Sequence, residues 1–245
     1  MLRRMGCDDL TPHGFRATLM TSAASARQNE NGATMASAAF ERFRFSFFED
    51  PDSARQGLAT PALAELTGEE RVRAEDMLIN NLPDSSAVIG LGVLRSSRAA
   101  PQLVELFEVE QRAAKLRPDD FRPPDEFISL AKTLWQIRPD PRWLEAMIDV
   151  LTSSSHSTQR QTAAELLYDV YDPAAVQALI TALNDPASLV RHHACRALLM
   201  IHGLPADPKD LQHMMYRVMS DDPTRREGGK RDIRQAISGG RSLRE

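Results

Sequence analysis

Hydrophobic residues recur along much of the chain at positions i, i+3, i+4 and i+7, a spacing that places them on one face of an α-helix. The clearest examples are residues 140–151 and 172–183, which lie 32 positions apart and both open with an Asp-Pro pair. Aspartate is a favoured N-cap, and proline fits the first turn of a helix. The pattern therefore predicts two equivalent helices, with matching apolar positions at Leu144/Val176, Met147/Leu179, Ile148/Ile180 and Leu151/Leu183.

The same apolar face occurs once more upstream and once more downstream. The downstream helix is predicted to open at Asp207-Pro208, which is again an Asp-Pro pair. Four copies of one helical spacing indicate an internal repeat. The additional apolar positions are Ala100, Leu103, Val104 and Phe107 in the upstream copy, and Leu211, Met214, Met215 and Val218 in the downstream copy.

A second predicted helix accompanies each of these helices and has its own repeated pattern. A small residue stands at its first apolar position, and larger apolar residues follow three and four positions later. We expect the small residue to allow close approach of two helices and the larger ones to fill the layer between neighbouring repeats. The copies are Gly90/Val93/Leu94, Ala131/Leu134/Trp135, Ala163/Leu166/Leu167 and Ala194/Ala197/Leu198, with a degraded last copy at Gly229/Asp232/Ile233.

This two-helix unit of 31–35 residues is similar to the HEAT repeats, in particular to the short HEAT-like repeats of the phycobilin-lyase type. Residues 84–94 and 172–198 carry the resemblance, through the Asp-Pro turns, the Val190-Arg191 pair and the spacing of Ala194 and Leu198. The resemblance covers residues 68–238. It implies an all-α fold, a right-handed α-α superhelix (a HEAT-like solenoid) of about four and a half helix pairs.

Residues 35–67 precede the first repeat and are rich in phenylalanine. Phe40, Phe43 and Phe47 would share a helical face, whereas Phe43, Phe45 and Phe47 would share the face of a strand. A solenoid has to cover the apolar end of its first repeat, so we interpret residues 35–67 as an N-terminal capping segment. A Phe-rich edge that binds a partner is the alternative.

Residues 1–20 resemble a fragment of the catalytic domain of tyrosine recombinases (phage integrases). His13 and Arg16 match the family's His-x-x-Arg pair, which contacts the scissile phosphate in those enzymes. The upstream catalytic Arg and Lys contexts are missing here, and no tyrosine stands in a recombinase-like nucleophile context. We therefore expect no strand-transfer activity.

Residues 22–35 are rich in Ala, Ser, Asn and Gly, as disordered linkers are. We predict that residues 1–34 are a leader and linker derived from a neighbouring integrase gene, and that the functional protein begins at Met35. A bacterial gene beside a mobile element would follow from this. Peptides containing His13 in a mass spectrum of the natural protein would contradict the prediction.

The composition, 42% hydrophobic and 26% charged, is that of a globular protein. The net charge of -4 combines an acidic body with a basic end. Residues 35–224 hold 19 Lys+Arg against 28 Asp+Glu, and residues 225–245 hold seven against three. This balance argues against nucleic acid as the partner. We interpret the basic end as a solvated last helix with a frayed tail at residues 239–245.

Two cysteines, Cys7 and Cys195, are too few for a disulfide framework, and no stretch approaches the roughly 18 apolar residues of a membrane span. With no secretory signal recognised, both observations favour the cytoplasm.

Residues with the right chemistry for catalysis occur, but not in a catalytic pattern. His192 and Cys195 could share a helical face, yet no second metal-binding motif accompanies them. Gly228-Gly229-Lys230 fails the phosphate-loop pattern, and we interpret its glycines as a turn that enters the last helix. We therefore expect no enzyme activity, no metal and no cofactor.

The second helices line the concave face in HEAT-type solenoids, so the resemblance makes their polar positions the predicted contact surface. Aligning the repeats gives two rows that change from neutral through acidic to basic. Tyrosine and arginine at the centre of such a surface are typical of protein-binding hot spots. The predicted partner-binding residues are Thr133, Gln136, Glu165, Tyr168, Arg196, Leu199, Arg231 and Arg234.

The function predicted from the sequence is a non-catalytic module that binds a protein partner on the concave face. An accessory, defence or toxin-neutralising role would fit proximity to a mobile element. One alternative is an enzyme like the phycobilin lyases, with a tetrapyrrole in the groove. Another is a HEAT-like DNA alkylation-repair enzyme, although the acidic body opposes phosphate binding.

Overall fold

The computed structural model describes residues 36–50, 57–116, 125–206 and 213–239. The predictions for residues 1–34, for Asp207-Pro208 and for the tail from residue 240 onward lie outside the described residues. The described ranges contain helices and no strand. The helices are α1 Ala38–Arg44, which continues into a π-helical turn Phe45–Glu49, then α2 Thr60–Glu65, α3 Gly68–Asn80, α4 Ser85–Leu94, α5 Ala100–Leu116, α6 Asp125–Ile137, α7 Pro141–Ser153, α8 Ser157–Leu166, α9 Pro173–Ala182, α10 Ser188–Ile201, α11 Met214–Met219 and α12 Pro223–Gly239.

The helices from α3 onward form pairs that stack in two layers. Each first helix packs against the second helix that follows it, giving the pairs α3–α4, α5–α6, α7–α8, α9–α10 and α11–α12. The second helices also pack against one another in chain order, from α4 through α6, α8 and α10 to α12. In the first layer, α7 packs against α9. The predicted all-α solenoid is confirmed, with five helix pairs in the described residues.

Aspartate N-caps begin the repeat helices as the sequence predicts. The Asp140 carboxylate accepts a hydrogen bond of 3.0 Å from the Arg142 N–H, and the Asp172 carboxylate accepts one of 2.8 Å from the Ala174 N–H. Met147 and Leu179, at matching positions of the two helices, are fully buried. Local capping and the apolar face therefore fix both the start and the orientation of α7 and α9.

The helix before α12 is shorter than predicted. It begins at Met214, and His213 caps it in an extended conformation, with its Nδ1 accepting from the Met215 N–H at 3.3 Å. The ψ of His213 is 145°, which is far from the helical region, so the predicted helix does not run unbroken through His213 into α11. Met215 and Val218 are nevertheless buried, as the predicted face requires.

The phenylalanine-rich segment is helical, and the strand alternative is wrong. Phe40, Phe43 and Phe47 are buried on one helical face, whereas Phe45 is 55% exposed. The Phe47 ring reaches α4, where a Cβ on Gly90 would lie 3.0 Å from Phe47 Cε1. Phe47 therefore packs against the first repeat, and the role of this segment as a cap stays a prediction.

The interpretation of Gly228 and Gly229 as a turn is also wrong. Both lie inside α12, and both are buried. A Cβ on Gly229 would lie 2.9 Å from Arg217 Cβ and 3.0 Å from the Val218 nitrogen. Close approach of α11 to α12, rather than a turn, explains this glycine.

Candidate functional site

The spacing between α8 and α10 is fixed by a buried ion pair. Arg160 of α8 donates from Nε and Nη2 to the two oxygens of Asp185, at 2.7 and 2.9 Å. Asp185 in turn accepts the Ala187 N–H at 2.8 Å, just before α10 begins. Burial alone would raise the pKa of Asp185, but the hydrogen bonds from Arg160 and Ala187 lower it below its ordinary value. The Asp185 carboxylate therefore holds the N-terminal end of α10 against α8.

Arg191 is a residue of α10 that connects this helix to α11 and to the turn before it. Its buried guanidinium donates four hydrogen bonds to backbone carbonyls, two in the turn before α10 and two at the end of α11. The acceptors are Asp185 at 2.8 Å, Pro186 at 2.9 Å, Val218 at 2.6 Å and Met219 at 3.0 Å. These bonds orient α10 within the second layer, with its remaining face directed to solvent.

A groove of about 320 Å³ lies between α8 and α10. Glu165 of α8 and Tyr168, in the turn that follows, form one wall. The other wall belongs to α10. The lining of the groove is partly apolar, because Ala197 and Met200 contribute to it beside the charged side chains. The residues lining the groove are Glu165, Tyr168, His193, Arg196, Ala197 and Met200.

Tyr168 is held from behind while its outer face stays accessible. It is 37% exposed, and the Lys132 ammonium lies 5.3 Å from the centroid of its ring. Lys132 is itself buried and donates to Asp169, the next residue after Tyr168. Burial lowers the pKa of Lys132, and Asp169 offsets part of that shift. A cation–π contact and a buried ion pair therefore fix the tyrosine before any partner arrives.

His193 is a neutral part of the groove at pH 7. Burial lowers its pKa, and the attraction of Glu165, whose Oε2 lies 3.8 Å from His193 Nδ1, does not reverse the shift. Nδ1 of His193 is buried and has no hydrogen-bond partner among the described residues. The groove thus combines an uncharged imidazole with one carboxylate and one guanidinium, from Glu165 and Arg196.

Three of the predicted partner-binding residues meet in this groove, and two others are not available for contact. Glu165, Tyr168 and Arg196 line it together. Thr133 is 2% exposed and donates its hydroxyl to the Val88 carbonyl at 3.1 Å, and Leu199 is 1% exposed. Including Thr133 and Leu199 in a contact surface was therefore wrong, because helix packing buries them.

The remaining predicted residues lie outside the groove. Gln136 is half-buried and packs against Gly92 of α4. Arg231 and Arg234 are exposed on α12. The predicted rows therefore do not form one continuous surface from α6 to α12, since the side chains of α6 are partly covered by α4.

Sequence reasoning missed Lys132, His193 and Met200, as well as the ion pair of Arg160 and Asp185. A signal for the ion pair was present: Arg160 and Arg191 both stand three residues before the small residue of their second helix, at Ala163 and Ala194. For Lys132 the sequence offered no signal, because its partner lies 37 residues away.

The His192 and Cys195 pair does not have the properties of a metal site. Cys195 is fully buried, and burial raises the pKa of its thiol to about 12. The described part of the chain contains no group of three or more His, Cys, Asp or Glu side chains placed to hold a metal ion. The two histidine rings instead contact each other edge to face, with centroids 5.3 Å apart.

None of the helices in the described ranges has a stretch long and apolar enough to cross a lipid bilayer.

The comparison with protein families agrees with the packing. The family model for HEAT repeats matches residues 130–229, about two fifths of the chain. No curated protein matches the chain. The phycobilin-lyase type and the integrase-like segment have no support from these comparisons and stay predictions. Residues 130–229, which run from α6 into α12, are therefore similar to HEAT repeats, in agreement with their stacked helix pairs.

Proposed function

We propose that the protein is a non-catalytic binding module and that a protein partner occupies the groove between α8 and α10. Stacked helical repeats present extended surfaces of this kind, and many repeat proteins use them for binding. The proposal concerns the groove of the described repeats; it does not extend to a defence or toxin-neutralising role, because that idea depends on residues 1–34.

The anchored Tyr168 beside Arg196 is the observation that carries the proposal. Tyrosine and arginine are enriched at the centres of protein interfaces, where a few residues supply most of the binding energy. A tyrosine already held in place by Lys132 loses little conformational freedom on binding. The half-buried Met200 beside it, backed by the buried Ala197, gives the groove an apolar part that can receive a side chain of the partner.

The side chains of the groove favour binding over covalent catalysis. Burial raises the pKa of Tyr168, so its hydroxyl stays protonated at neutral pH. Nδ1 of His193 has no hydrogen-bond partner among the described residues, and Glu165 Oε2, at 3.8 Å, is too far to orient the ring as it would orient a general base. The groove lining contains no serine, threonine or cysteine.

A quantitative pull-down from the source cells tests the proposal. The full chain is immobilised as the wild type, as Tyr168→Ala/Arg196→Ala and as the control Tyr216→Ala/Arg142→Ala. Tyr216 is a suitable control because it is also 37% exposed, on α11 of the first layer. We expect a partner that is retained by the wild type and the control and lost from the groove variant. A partner set shared by all three proteins would show that the groove assignment is wrong.

A further inference from the structure

Three exposed arginines form a row on the second layer, beyond the groove. Arg196 on α10 and Arg231 on α12 occupy the same repeat position, two residues after the small residues Ala194 and Gly229. Two residues correspond to a rotation of about 200° around a helix, and five residues, the offset of Arg234, correspond to about 140°. Ala194 and Gly229 are buried on the side of their helix that packs against other helices. All three arginines therefore lie on the opposite, solvent-facing side.

The helices that carry these arginines are neighbours. α10 contacts α12 directly, and axes of packed helices are roughly 8–10 Å apart. The row formed by Arg196, Arg231 and Arg234 therefore starts at the wall of the groove and continues across the last repeat. We call it the arginine row.

The arginine row is unusual because its guanidinium groups have no acceptor among the residues that the structure describes. Two neighbouring basic residues do have acceptors: Arg217 pairs with Asp232, and Lys230 donates to Glu227 and Asn184, both at 2.7 Å. By contrast, Arg196, Arg231 and Arg234 form no hydrogen bond or ion pair through their guanidinium groups within the described ranges. Arg234 acts on Glu227 only at longer range.

We propose that the arginine row binds an acidic segment of the protein partner, with one apolar side chain of that segment in the groove between α8 and α10. The inference rests on the proposed function and adds the chemistry of the partner. Carboxylates are the natural acceptors for unpaired guanidinium groups, which can bind them in a bidentate manner. The apolar floor at Ala197 and Met200 and the fixed ring of Tyr168 supply the second requirement, a pocket for an uncharged side chain.

A nucleic acid fits this surface less well than an acidic peptide. Glu165 lies in the wall of the groove, where a phosphate backbone that followed the row into the groove would meet a like charge. The second-layer helices before α10 add no comparable cations, because Arg160 is paired with Asp185 and Lys132 is buried against Asp169. Phosphate binding gains from many cationic contacts, and the arginine row supplies three within the described residues.

A selection from a random dodecapeptide library displayed on phage tests the inference with the full chain. Wild type is compared with Arg196→Glu/Arg231→Glu and with the control Arg138→Glu/Arg142→Glu, which carries the same net charge. Arg138 and Arg142 are exposed at the junction of α6 and α7, away from the row. Melting temperatures of all three proteins establish that they are folded.

We expect the wild type and the control to enrich peptides in which Asp and Glu flank an aromatic or aliphatic residue. Synthetic versions of those peptides should bind the arginine-row variant about tenfold or more weakly, and binding should weaken as NaCl rises. No enrichment, enrichment of peptides without acidic residues, or equal loss in both variants would overturn the inference. Displacement of the peptides by a single-stranded oligonucleotide that binds more tightly would overturn it as well.

Failure of this inference can be separated from failure of the proposed function. If Tyr168→Ala abolishes peptide binding while Arg196→Glu/Arg231→Glu and salt leave it unchanged, the groove is a protein-binding site and the acidic class is wrong. If neither set of changes alters binding, both the groove and the acidic class are wrong.

Discussion

At the scale of single residues, the same polar contacts join the first helix to the second helix in three successive repeats. Arg160, Arg191 and Arg226 each donate to the backbone carbonyl of the residue six positions earlier, at 2.8, 2.8 and 3.4 Å. The side chain of that earlier residue accepts the N–H two positions after it, as Asp185 does from Ala187 at 2.8 Å. Ser154 and Ser220 do the same with His156 and Asp222, both at 3.2 Å. A single local arrangement thus holds three turns.

Replacing Arg191 should therefore be costly. In Arg191→Leu, the carbonyls of Val218, Met219 and the turn before α10 lose a charged donor in a buried place, and we expect a loss of about 3 kcal/mol in the free energy of unfolding. Chemical denaturation measures it. The control Arg142→Leu removes an arginine whose side chain is 61% exposed and should cost less than about 1 kcal/mol. Equal losses would contradict the role assigned to Arg191.

Buried histidines should make stability depend on pH. Burial lowers the pKa of His202, and both of its ring nitrogens are buried without a hydrogen-bond partner among the described residues. The unfolded chain, with an ordinary histidine pKa of about 6.5, then binds more protons than the folded one. The free energy of unfolding should fall as the pH drops through 6.5 toward the lowered folded-state pKa.

Denaturant titrations between about pH 7.5 and 5.5 check this dependence. His202→Leu should lose less stability over that interval than the wild type, because one proton-binding difference is removed. His156→Leu, at an exposed histidine, is the control for the exchange of a histidine for leucine. An identical slope in the wild type and His202→Leu would show that His202 makes no contribution.

At the scale of helices, the close approach of α11 to α12 depends on Gly229, which has no side chain. A Cβ on Gly229 would meet the backbone of α11 at Val218, whereas a Cβ on Gly228 would overlap only the far end of the Arg217 side chain. Backbone cannot move aside without displacing the whole helix, but a flexible arginine can. The two adjacent glycines are therefore not equivalent.

Alanine substitutions should separate the two glycines. Within a helix, alanine is favoured over glycine by about 1 kcal/mol. Gly228→Ala should keep part of that gain, reduced by loss of the half-buried Arg217–Asp232 pair. Gly229→Ala should instead destabilise the protein by about 1–3 kcal/mol because α11 has to move. Thermal denaturation measures both, and stabilisation by Gly229→Ala would show that α11 does not pack as closely as described.

At the scale of the whole repeat unit, each helix pair contacts mainly its neighbours. Stability is then close to a sum over repeats and interfaces, so damage at one end should stay local. Ile233 of α12 and Leu167, at the end of α8, are both fully buried, but one lies in the last pair and the other in the middle. They make a matched pair of sites for testing this expectation.

Hydrogen exchange read by mass spectrometry tests how far disruption spreads. Ile233→Asp should remove amide protection in α11 and α12 and leave it in α4 and α6, since a buried carboxylate disfavours only the pair that contains it. Leu167→Asp should remove protection on both sides, from α7 through α10. Uniform loss of protection in Ile233→Asp would show that the helices unfold as one cooperative unit.

The helices and their pairing could be predicted from the sequence because the forces that define them are local. N-caps such as Asp140 and Asp172 act within two or three residues, and the apolar face of a helix repeats within two turns. The start of α11 at Met214 was not predicted, because the cap is a histidine, a residue type that is not among the favoured N-caps. The helical face of Phe40, Phe43 and Phe47 was one of two alternatives that the spacing allowed.

Only the tertiary structure decided which repeat positions face solvent. Thr133, Glu165 and Arg196 are equivalent in the sequence pattern, yet Thr133 is buried beneath α4 and the other two line the groove. Tyr168 and Leu199 are equally matched, yet one is exposed and the other buried. Exposure depends on how closely the neighbouring helix approaches and on residues far along the chain, such as Lys132 beneath Tyr168. The sequence by itself determined the repeats, and the packing between them determined the site.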